Sequence, residues 1–70
     1  MIKGNESAKN LIKIFLRKPG TMYDLIDERN FFTVIELMIL KKSAEDLEAF
    51  ITAEIIENYI HEKLKTEHAN

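Results

Sequence analysis

Apolar residues recur at intervals of three and four through most of the chain, the spacing of helices that bury one face. Ala8, Leu11, Ile12, Phe15 and Leu16 mark a first helix over 6–17, with Lys9, Lys13 and Arg17 repeating every fourth residue as a cationic stripe on another side. Thr21 is suited to cap a second helix from Met22, with Asp24, Asp27 and Glu28 on its early turns and Met22, Leu25 and Ile26 facing inward. That helix is predicted over 22–41, divided at Arg29-Asn30 if Asn30 caps a separate segment. Lys41-Lys42 fit a helix C-terminus and Ser43 an N-cap, so a last helix is predicted over 44–65. With two glycines and one proline in the chain, Pro19-Gly20 is the strongest break.

Two segments carry more apolar surface than one face. Between Phe31 and Leu40, every residue except Thr33 and Glu36 is apolar. A helix apolar almost all round needs cover almost all round, which two flanking helices hardly supply, so a second subunit is expected. Phe31-Phe32-Thr33-Val34-Ile35 is also good strand composition, and a lone strand would have to pair with a second chain across a two-fold axis. On the last helix, Leu47, Ile51, Ile55 and Tyr59 form one ladder, expected to be core. Ala49, Ala53, Ile56, Ile60 and Leu64 form another on a different side, expected to face a neighbouring subunit; alternatively one long stripe drifts across a partner crossing at an angle.

The expectation is therefore one all-α domain over residues 1–70, a small bundle of three helices, or four if the chain breaks at Arg29-Asn30, completed by a second subunit. Its expected oligomer contacts are Phe31, Phe32, Ile35, Met38, Ile39, Ala49, Ala53, Ile56, Ile60 and Leu64. Size supports this: so short a chain buries only roughly 60% of its unfolded surface, and with no cysteine it has neither disulfides nor thiolate zinc sites to compensate.

Charge adds a second theme. The net formal charge is −2, but residues 1–20 carry five Lys or Arg against Glu6, a balance of +4, while residues 21–70 carry five against eleven acids, a balance of −6. The Lys9, Lys13 and Arg17 stripe is the candidate partner-binding feature, facing an acidic protein, a nucleic-acid backbone or an anionic membrane surface, unless it is only a solvated face. The acidic face with Glu45, Glu48, Glu54 and Glu57 is its counterpart.

Catalytic chemistry has little to work with. The serines are Ser7 and Ser43 and the imidazoles His61 and His68, and Ser43 is already assigned as a cap. Glu54, Glu57 and His61 offer helical spacing for a metal, but such pairs are common on solvated helices and no ligands elsewhere are marked. No catalytic or metal site and no cofactor is predicted. A major-groove reader after the Lys18-Pro19-Gly20-Thr21 turn is disfavoured, because Phe31–Leu40 offers no Arg, Lys, Asn or Gln to read bases. The early apolar run Leu11–Leu16 is short and interrupted by Lys13, and no run approaches a membrane span, so the expected location is cytoplasmic. The functional expectation is a small non-enzymatic regulator or adaptor acting by protein–protein binding as a helical homodimer. The alternatives are a nucleic-acid-associated modulator using the basic first helix and, behind it, an enzyme with a site in the core of an oligomeric bundle.

Overall fold

A computed structural model describes residues 5–27 and 32–68, and all regular structure among them is helical. The helices are α1 (Asn5–Arg17), α2 (Pro19–Asp27), α3 (Val34–Asp46) and α4 (Phe50–His68). The all-α bundle expected from periodicity is present, in its four-helix form. Phe31 and the Arg29-Asn30 break lie outside the described residues.

Pro19 separates α1 from α2 with a single residue between them. The residue before a proline disfavours the helical region, which stops α1, whereas a proline at a first helical position loses no hydrogen bond and starts α2. The Lys18 amide donates back to the Ile14 carbonyl at 2.8 Å, and the Lys18 carbonyl accepts from the Thr21 amide at 2.9 Å. Thr21 is thus already inside α2 and is not its cap, and Asp24 falls beyond the first turn.

The segment that also resembled a strand is the start of α3. Thr33 is its N-cap: the side chain accepts from the Glu36 amide at 3.1 Å, while the Glu36 carboxylate accepts from the Thr33 amide at 2.9 Å, a complete capping box. Phe32 and Leu37 occupy the two positions of a hydrophobic staple around this cap, and both are buried in the core. Replacing Thr33 with Ala is expected to cost about 1 kcal/mol. For a domain of this size that lowers the melting temperature by roughly 4–8 °C, measurable by circular dichroism.

The expected boundary at Ser43 is not formed. α3 continues through Lys41-Lys42-Ser43 to Asp46, and the chain reverses at Leu47-Glu48-Ala49. The Glu48 amide donates to the Glu45 carbonyl at 2.9 Å and the Ala49 amide to the Ala44 carbonyl at 2.8 Å, the two bonds of a Schellman turn. Its left-handed position, usually glycine, is Glu48 at φ 60°. So tight a connection forces α3 and α4 together at this end, where Ser43, Ala44 and Ala53 are buried and Ala49 half-buried. Ser43 is thus a small buried residue inside α3 and not a cap.

The core is centred on α3, which packs most extensively on α4 and next on α1, while α2 packs on α1. α1 contributes Ala8, Ile12 and Phe15, α2 Met22, α3 Leu37, Leu40 and Ala44, and α4 Ala53, Ile56 and Ile60. The two ladders of α4 are therefore not divided as expected: Leu47 and Ile55 of the first pack against the core only in part, and most of the second is buried there. Ala53, Ile56 and Ile60 face α3 and the core, whereas Ile51 of the other ladder is 78% exposed.

Candidate functional site

Most of the apolar surface between Phe32 and Leu40 is covered within one chain. Phe32, Leu37 and Leu40 are buried, and Val34 and Ile39 are partly buried against the core. What remains is the outer face of α3, where Ile35 is 70% exposed and Met38 55%. Together with Ile39 and Lys42 they line an open groove of about 280 Å³. The spacing of these four, i, i+3, i+4 and i+7, places them along one side of the helix.

The expected interface residues divide accordingly. Ile35 and Met38 are presented to solvent and Leu64 is more than a third exposed, while Ile39 and Ala49 are half-buried. Phe32, Ala53, Ile56 and Ile60 are buried within their own chain. Phe50 and Ile51, at the first turn of α4, are exposed and were not anticipated as surface residues. Their exposure follows from which ladder of α4 meets α3, a choice that periodicity leaves open.

The cationic stripe lies where the wheel placed it. Lys13 and Arg17 are exposed and Lys9 is half-buried; Lys18, exposed, extends the stripe past the end of α1. Leu16, expected on the inward arc, is 51% exposed, and Ile14 and Tyr23 are exposed with it. Ile14 was legible as an outsider, since it lies about 200° round the helix from Ile12.

On the hairpin, Lys41 of α3 donates to the Glu57 carboxylate of α4 at 2.9 Å, with both side chains partly exposed. The hydrogen bond to Glu57 raises the Lys41 pKa, and the bond from Lys41 lowers that of Glu57. This occupies one of the three groups weighed as metal ligands, and among the described residues no set of three such side chains converges. A carboxyl whose pKa is lowered on folding contributes stability above its unfolded pKa and loses it as pH falls through the folded one; a raised lysine contributes below its unfolded pKa and loses it as pH rises through the folded one. The difference in melting temperature between the wild type and Glu57→Gln is therefore expected to be largest between about pH 5 and pH 10 and to shrink on both sides. It should also shrink with added salt, because the pair is partly exposed.

No helix among the described residues is long and apolar enough to cross a membrane. No protein-family model matches this chain, and neither does any curated protein or solved structure.

Proposed function

We propose that this chain is a non-enzymatic regulatory or adaptor protein that acts by protein–protein binding as a homodimer, joined through the outer face of α3. The observation that carries the reading is the exposure of Ile35 and Met38 side by side on a helix whose other apolar residues are buried or half-buried. Large apolar side chains grouped in one groove are the usual mark of an interaction site, whereas single scattered ones are not. The groove set is also self-complementary. In an antiparallel crossing of two α3 helices centred between Met38 and Ile39, Ile35 of one copy meets Lys42 of the other, whose alkyl stem covers it while the ammonium stays in water.

The test is a mass measurement by light scattering at low micromolar concentration on the wild type and on Ile35→Asp/Met38→Asp. The wild type is expected at twice the chain mass and the double variant at 8.2 kDa, with unchanged helicity because both side chains are exposed. A wild type that runs at 8.2 kDa, with a melting temperature independent of concentration, overturns the proposal.

A further inference from the structure

We infer that the corner between α1 and α2 docks on the anionic surface of a lipid bilayer. Residues 16–20, at the corner, are five consecutive exposed positions. Lys13, Arg17 and Lys18 stand exposed around it, with Lys9 half-buried one turn earlier. Among the described residues the ion pairs are Lys41 with Glu57 and Lys42 with Asp46, and neither engages these four cations. On the same two helices, the carboxylates with described side chains are Glu6, at the far end of α1, and Asp24. The partial negative charge at the C-terminus of α1 accounts for a cation such as Arg17. It does not account for the apolar side chains exposed on the same two helices: Ile14 forms a recess of about 290 Å³ with Arg17 and Lys18, and Leu16 and Tyr23 are exposed as well.

The combination selects the occupant. A nucleic acid would satisfy the cations and leave the leucine, isoleucine and tyrosine in water. An apolar groove on a protein would do the reverse. A bilayer surface takes both, because headgroup phosphates meet Lys and Arg, the acyl boundary accepts Leu and Ile, and tyrosine favours the interface between them. This docking surface is separate from the α3 groove and does not rest on dimer formation.

The experiment is co-sedimentation of the full chain with vesicles of phosphatidylcholine alone and with phosphatidylglycerol added. Binding is expected to the anionic vesicles only, weakening as salt rises. Each Lys or Arg near an anionic surface raises affinity roughly fivefold, so Lys13→Gln/Arg17→Gln/Lys18→Gln is expected to weaken binding about 100-fold. Leu16→Ser/Tyr23→Ser should also weaken it, with the melting temperature kept because both side chains are exposed. Ile35→Asp/Met38→Asp should bind vesicles as a monomer, which separates this surface from the dimer contact. Absence of binding to anionic vesicles overturns the inference. So does binding to a DNA duplex that Leu16→Ser/Tyr23→Ser leaves intact while vesicles stay unbound, which would assign the corner to a nucleic acid. Salt-sensitive self-association abolished by the triple Gln variant, without vesicle binding, would assign it to a second copy and equally overturn the inference.

Discussion

Replacing Ile56 with Asp is expected to abolish the cooperative melt, while Ile51→Asp, five residues earlier on the same helix, leaves it nearly unchanged. Ile56 has no solvent exposure and sits where α4 meets α3. Its loss forfeits about 2–5 kcal/mol of packing, and a carboxylate in its place adds the cost of an unpaired charge or of the proton taken up to avoid one. A domain of this length has roughly 3.5–10 kcal/mol of stability in total, so the sum removes most or all of it. Ile51 faces solvent in the first turn of α4, where a negative charge is favoured by the helix dipole, and the change there stays within about 0.5 kcal/mol. Thermal melts of the two variants by circular dichroism decide between the ladders. If Ile51→Asp unfolds and Ile56→Asp does not, α4 is rotated by almost half a turn from the arrangement described.

Phe15→Ala is the second large effect. α1 is attached to α3 through one arc, Ala8, Ile12 and Phe15, and Phe15 is the largest of the fully enclosed side chains. Truncating a buried phenylalanine costs about 3–5 kcal/mol, because the cavity left behind closes only partly. The melting temperature is expected to fall by at least about 12 °C. Leu16→Ala, next to it but half exposed, is expected to shift it by no more than a few degrees. Equal losses at both positions would mean that α1 does not rest on the arc containing Phe15.

Helical class and the break at Pro19 follow from spacing and punctuation, which are local properties, whereas the same signals leave three helices or four. The start of α3 was equally legible: Phe32-Thr33-Val34-Ile35-Glu36-Leu37 contains the threonine cap, the glutamate three residues later and the two staple positions. It was obscured because the same residues have strand composition. The turn at Leu47-Glu48-Ala49 had no such signal, since a glutamate in the left-handed region announces nothing, whereas Lys41-Lys42-Ser43 imitates a boundary inside a helix. From that misplaced turn followed the expectation that Ile51 is core and that Ala53, Ile56 and Ile60 face outward. With the reversal at Glu48, Ala53 lies in the core and Ile51 is left exposed. Of the candidate surfaces, the cations were visible in sequence, but the exposed Leu16 and the isolation of Ile35 and Met38 depend on where neighbouring helices land.

The short connection at Glu48 also governs how quickly the fold is reached. α3 and α4 meet through residues close in sequence, the Lys41–Glu57 pair being only 16 positions apart, so little chain entropy is spent before contacts begin to form. Helical proteins built on such local contacts fold in microseconds to milliseconds, and here pairing can spread from the turn toward the far ends of both helices. The arm of α1 and α2 closes a longer loop, and its arrival completes the core that the hairpin presents. A chain assembled in that order leaves its apolar surface open to other molecules only briefly.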